Sequence, residues 1–106
     1  MRNDLNADNL HDEWCIEEDT RYAVIARRNV LAALWAGNLL GKQGKDLESY
    51  AREVHSADFE VPGDSDVVAK LSRDLIAAGF DKEAASVRSR LASFQKQARR
   101  ENVATD

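Results

Sequence analysis

Cysteine is almost absent: the chain of 106 residues carries one, Cys15. A single thiol excludes an internal disulfide framework and a cysteine-built zinc site within one chain. Flanked by Trp14 and Ile16, Cys15 reads as a small hydrophobe. Proline occurs once, at Pro62, and glycine five times. An all-β domain needs many tight turns, so this scarcity points away from sandwiches and barrels. No apolar run approaches the ~18 residues a membrane helix needs, so direct membrane insertion is not expected. The N-terminus carries Arg2 and then turns acidic, which reads as the absence of a secretory signal. The two histidines, His11 and His55, lie on different segments without a metal-ligand spacing, so no metal is expected.

What is present is charge, unevenly laid out. The formal net charge is -4. Residues 1–20 hold Asp4, Asp8, Asp12, Glu13, Glu17, Glu18 and Asp19 against Arg2 alone. The stretch from Lys82 to Asn102 reverses the sign, with Arg88, Arg90, Lys96, Arg99 and Arg100 outweighing Glu83 and Glu101. Such a layout is compatible with self-association of the two ends, or with an acidic arm that reaches a basic partner. The plainer reading is a solvated tail and an ordinary exposed helix face. Nucleic-acid binding is not expected, because the chain is acidic and its basic stretch lacks interleaved aromatics.

The apolar spacing predicts an all-α chain: a compact four-helix bundle, residues 17–106, behind a mobile acidic arm, residues 1–16. The first helix is expected over 17–40, capped by Thr20 or an earlier acid, with Gly41 as its stop. From Val30 to Leu40 it is apolar on most sides, as a central helix is. Leu47, Tyr50, Ala51 and Val54 form one face of a second helix over 45–57. Pro62-Gly63 signals a turn, and Asp64 or Ser65 caps a third helix over 65–78, with the stripe Val67, Val68, Leu71, Leu75 and Ala78. Gly79 ends it, and Asp81 caps a fourth helix over 82–101. Ala84, Val87, Leu91, Phe94 and Ala98 give that helix a narrow heptad seam and leave it a broad polar face. Trp35, Tyr50, Phe59, Phe80 and Phe94 are expected to share the interior. A bundle with short connections places neighbours antiparallel.

No nucleophile–base pair is visible, and nothing argues for an enzyme. Asp58, Glu60, Asp64 and Asp66 make an acidic loop, but the alternating ligand pattern of a calcium loop is missing. Capping at Asp64 and dipole compensation at Asp66 account for it. Gly41-Lys42-Gln43-Gly44-Lys45 looks superficially like a phosphate loop, without the required leading glycine or strand. An adenine-nucleotide site remains an alternative, with Lys42, Lys45 and Arg27 or Arg28 as phosphate contacts and the second helix's N-terminus behind them. Surface ion pairing is the plainer reading of both arginines. A small helical protein with a charged arm fits a regulatory role better than a catalytic one.

Several stretches together carry a resemblance. Ala26-Arg27-Arg28-Asn29, Leu34-Trp35-Ala36 and Leu39-Leu40-Gly41 follow one another in the first helix. Tyr50-Ala51-Arg52-Glu53-Val54, Ala57-Asp58-Phe59-Glu60 and Gly63-Asp64-Ser65-Asp66-Val67-Val68 come next, and then Asp74-Leu75. In this combination the chain resembles, from about Trp14 onward, the zeta subunit family of the alphaproteobacterial F-type ATP synthase. The resemblance implies a four-helix bundle that inhibits ATP hydrolysis. It implies binding to the catalytic head at an α/β interface beside the rotor subunit, and a cytoplasmic protein peripheral to the inner membrane when bound. By the same resemblance the N-terminal segment enters that interface, with Trp14, Glu17, Asp19 and Tyr22 standing at family positions. The arm also departs from the family. Glu13 replaces a lysine and Ile16 a histidine, and like charges across an interface cost several kcal/mol. A divergent paralogue with weakened or lost inhibition is therefore a second reading.

Overall fold

The computed structural model describes the backbone of residues 7–58 and 64–104, and the side chains of residues 21–58 and 64–102. Five helices follow in order: α1 (Ala7–Leu39), α2 (Gly44–Ala57), α3 (Ser65–Ala77), α4 (Asp81–Ala85) and α5 (Val87–Ala104). Among the described residues there is no strand. The all-α expectation holds, with four helices longer than two turns. Phe59, the turn at Pro62-Gly63 and the first six residues of the arm lie outside the described residues.

Two boundaries differ from the sequence reading. α1 begins at Ala7, ten residues before the expected start, so Thr20 is inside the helix and caps nothing. The expected fourth helix is broken at Ser86. Its hydroxyl donates to the Glu83 carbonyl at 2.8 Å, and its N–H donates to the same oxygen at 3.0 Å. That tightened turn ends α4, since a serine hydroxyl competes for backbone groups. Asp81 is the first residue of α4 rather than its cap; Phe80 holds the cap position with no side-chain bond. Asp64 does occupy the cap position of α3, but its carboxylate makes no capping bond.

The two glycine stops are as expected. At the end of α1, Lys42 N–H reaches the Gly37 carbonyl (2.9 Å) and Gly41 N–H the Asn38 carbonyl (3.1 Å), with Gly41 at φ 79°. α3 ends the same way: Phe80 N–H reaches Leu75 and Gly79, at φ 89°, reaches Ile76. This paired bonding satisfies the last carbonyls and needs a residue without Cβ strain at the turn.

α1 is the central element, packed along α5 and α2 and touching α3. Its buried stripe is Val24, Arg28, Asn29, Ala32, Ala33 and Ala36. Small residues dominate it, so neighbouring helices come close. At Gly37 a Cβ would run into the Leu47 side chain. Tyr50 and Val54 of α2, Val67, Leu71 and Leu75 of α3, Ala84 of α4 and Val87 and Leu91 of α5 complete the core. Of the expected aromatic interior, Tyr50 alone is fully enclosed among the described residues. Trp35, Phe80 and Phe94 are half-buried against the core. The closely approached stripe of α1 has no room for an indole. Trp35 lies instead on the rim, 6.2 Å from the Phe94 ring and 5.0 Å beneath the Arg90 guanidinium. Ala78 is likewise exposed rather than part of the α3 stripe.

The α2–α3 seam carries a polar contact. The Tyr50 hydroxyl donates to Asp74 Oδ2 at 2.8 Å, and Lys70 Nζ reaches the same oxygen at 3.0 Å and Glu53 at 3.2 Å. Burial, and then the bond to Asp74, push the Tyr50 hydroxyl well above its ordinary value. Burial alone would lower Lys70, but the hydrogen bonds to Asp74 and Glu53 outweigh it and raise the ammonium.

Candidate functional site

Arg27 and Arg28 are neighbours in sequence and opposites in structure. α1 turns Arg27 outward, where its Nε donates to Glu101 Oε1 of α5 at 2.7 Å. Glu101 also accepts from Gln97 at 3.1 Å, and the bond from Arg27 leads in holding its carboxyl below the ordinary range. Arg28 falls on the buried stripe, four residues after Val24 and four before Ala32, and its side chain is 1 % exposed.

A cation in that position needs every donor matched. Nη1 donates to Asp64 Oδ1 (2.7 Å) and Gln95 Oε1 (3.2 Å). Nη2 donates to Asn29 Oδ1 (2.9 Å) and lies 3.5 Å from Asp58 Oδ2, while Nε donates to Asn29 Oδ1 (3.1 Å). One guanidinium thus ties α1 to the end of α2, the start of α3 and the middle of α5. Asp58 and Asp64 of the acidic stretch are the counter-charge of this clamp, which is why Asp64 does not cap.

The clamp sets its neighbours. Asn29 Oδ1 faces Arg28, so its Nδ2 must donate outward. It does so to Asp58 Oδ2 (3.2 Å) and His55 Nδ1 (3.0 Å). His55 Nε2 in turn lies 3.4 Å from the Tyr22 hydroxyl, and the two rings meet edge to face at 6.0 Å. Tyr22 is 56 % exposed. The base of the N-terminal half of α1 is therefore joined to α2 through an aromatic contact that rests on a buried polar network.

α1 and α5 are antiparallel, since Arg27 meets Glu101, Arg28 meets Gln95 and Trp35 meets Phe94. α5 stops at Ala104, three residues past Glu101, whereas α1 continues twenty residues N-terminal of Arg27. At 1.5 Å per residue, α1 runs roughly 25 Å beyond the end of α5. Trp14, Glu17 and Asp19 belong to that extension; their side chains lie outside the described residues. Tyr22 stands at its root.

The four nucleotide candidates are not gathered into one place. Arg28 has its donors engaged by protein groups. Lys42 and Lys45 lie at the α1–α2 turn, at the far end of α1, about 16 Å or more along the helix from Arg28. Lys42 sits 5.3 Å from the Tyr50 ring centre, and Lys45 is exposed. Among the described residues no group of three metal-ligating side chains exists, and no helix is long and apolar enough to cross a membrane. The buried clamp was the feature sequence reasoning missed. Its signal was available in the register: Val24, Arg28, Ala32 and Ala36 share one stripe, and Arg27 does not.

A helical body that clamps the C-terminal half of one long helix and presents the other half describes a binding and regulatory module. The family model of the ATPase inhibitor subunit zeta matches residues 4–101, and the chain belongs to that family. The match takes in the extension, the clamp and nearly all of α5. It gives the chain an inhibitor-type, regulatory role. No curated protein and no solved structure matches the chain.

Proposed function

We propose that the chain binds the catalytic head of the F-type ATP synthase and blocks ATP hydrolysis with the N-terminal half of α1. One observation carries this reading: α1 is a single helix of 33 residues whose second half is locked by Arg28 and whose first half outruns α5. A segment that must enter a cleft between subunits has to be presented away from its own body, and it has to be anchored against the force of rotation. The α1 arrangement meets both demands. Trp14, Glu17 and Asp19 of the extension and Tyr22 at its root are the contacts we assign to the α/β interface and the rotor. The protein acts in the cytoplasm, at the membrane periphery while bound to the synthase.

The test is steady-state ATPase activity of the cognate head, titrated with the full chain and with a chain lacking residues 1–20. Inhibition by the full chain alone supports the reading. Binding without inhibition by either form would instead support a divergent paralogue, with Glu13 and Ile16 as the altered positions. No binding at all removes the proposal.

A further inference from the structure

The outward face of α5 is one-signed. Arg88, Lys96, Arg99 and Arg100 are exposed there; Arg100 acts through space on its neighbour Glu101, and among the described residues none of the four is held in an ion pair. On a helix of 3.6 residues per turn these four fall within about a third of the circumference, along roughly 18 Å. The exposed positions between them, Ser89, Ala92 and Ser93, carry small side chains. Another helix can therefore approach this face closely.

The opposite charge stands on the same chain. The part of α1 that outruns α5, residues 7–20, holds Asp8, Asp12, Glu13, Glu17, Glu18 and Asp19 with no lysine or arginine. From Asp8 to Asp19 it measures roughly 17 Å as a helix, close to the length of the basic stripe. Its own α5 is out of reach. α1 is continuous from Ala7 to Leu39 and antiparallel to α5, so the acidic turns lead away past Ala104.

We propose that the basic face of α5 receives the acidic extension of α1 from a second copy of this chain. Exchange of the two extensions gives a two-fold dimer, in which each copy donates one segment and accepts the other. A contact between opposed charges on two helix surfaces is one that salt weakens. The dimer does not depend on the inhibitory reading. If that reading holds, the dimer is a reserve form in which the segment meant for the synthase head is already occupied.

Sedimentation of the full chain over a concentration series tests this, at about 20 mM and about 500 mM salt. The expected result is a concentration-dependent rise from 11.8 kDa to twice that mass at low salt, and the monomer at high salt. The triple variant Arg88→Glu, Lys96→Glu, Arg99→Glu stays monomeric at low salt with its helical circular dichroism unchanged. Mixing it with a chain carrying Glu13→Lys, Glu17→Lys and Glu18→Lys restores a heterodimer through one native and one reversed charge match. A monomer at every concentration at low salt overturns the proposal. So does a dimer that survives in the triple variant or at high salt. Neither result touches the ATPase titration, so failure of the dimer and failure of the inhibitory reading stay distinct.

Discussion

At position 28 a lysine would not do what the arginine does. Its ammonium is one point charge with three donors, whereas the planar guanidinium reaches Asn29, Asp58, Asp64 and Gln95 from fixed directions. Removing the cation leaves Asp58, at 12 % side-chain exposure, beside an empty space, while Asp64 at 54 % is still hydrated. Losing one partner of a buried pair costs about 3–5 kcal/mol, and the exposure of Asp64 places Arg28→Met near the lower end. Denaturant unfolding of that variant is expected to lose about 3 kcal/mol; a change within about 0.5 kcal/mol would mean the clamp contributes nothing net. The same network fixes an imidazole. Because Arg28 holds Asn29 Oδ1, Asn29 Nδ2 is the donor to His55 Nδ1, and that nitrogen must be an unprotonated acceptor. The proton of neutral His55 then sits on Nε2, facing the Tyr22 hydroxyl. Of the two neutral tautomers of His55, nitrogen-15 NMR should show the Nε2–H form. The Nδ1–H form would mean that Asn29 is turned the other way.

Between elements, the α2–α3 seam has a pH signature. Tyr50 is buried, and its bond to Asp74 raises its hydroxyl above the ordinary value of 10. A group whose folded value is raised contributes stability that is complete below its unfolded value and is lost as pH climbs toward the folded one. Tyr50→Phe removes a bond to a charged acceptor and should cost about 1–2 kcal/mol near pH 7. That difference should stay level up to about pH 10 and shrink beyond it. A difference that grows above pH 10 would contradict the arrangement. The seam also shows what a sequence pattern reveals. The stripes of α2 and α3 and the glycine stops at Gly41 and Gly79 were legible because periodicity and backbone strain are local. The start of α1 was not. Its first turns lack an apolar stripe, and the acids at 17–19 suggested a helix start where the helix merely continues. The break at Ser86 was hidden because the seam Ala84, Val87, Leu91 runs through it in register; the bonds from the Ser86 hydroxyl and N–H to the Glu83 carbonyl mark it. Arg28 was misjudged because charge was weighed before register. The extension was read as an acidic arm outside the helix, and its role was inferred from likeness to a family, since an isolated chain does not show what its acids meet.

For the molecule as a whole, the proposed division of labour along α1 would make stability and inhibition separable. The buried residues of α1 begin at Val24, and the partners that enclose them come from α2, α3, α4 and α5. Among the described residues, the extension has no helix of its own chain to pack along past the end of α5. Deleting residues 1–20 removes six of the acids on the extension and Asp4, but leaves Tyr22, His55 and the Arg28 network in place. The truncated chain should therefore melt within about 4 °C of the full chain, the shift expected for about 1 kcal/mol or less in a domain of this size. Its affinity for the synthase head should fall far more. Arg28→Met should behave in the opposite way. It keeps every residue of the extension, yet melts at least about 12 °C lower on the same scale. Near its melting range it should inhibit poorly, because its extension loses its anchor; below that range its inhibition should match the full chain. Calorimetry and the ATPase titration on both variants decide this. If truncation instead lowers the melting temperature as much as Arg28→Met does, the extension is part of the core, and a helix that carries the fold cannot also be released to a partner without unfolding its own body.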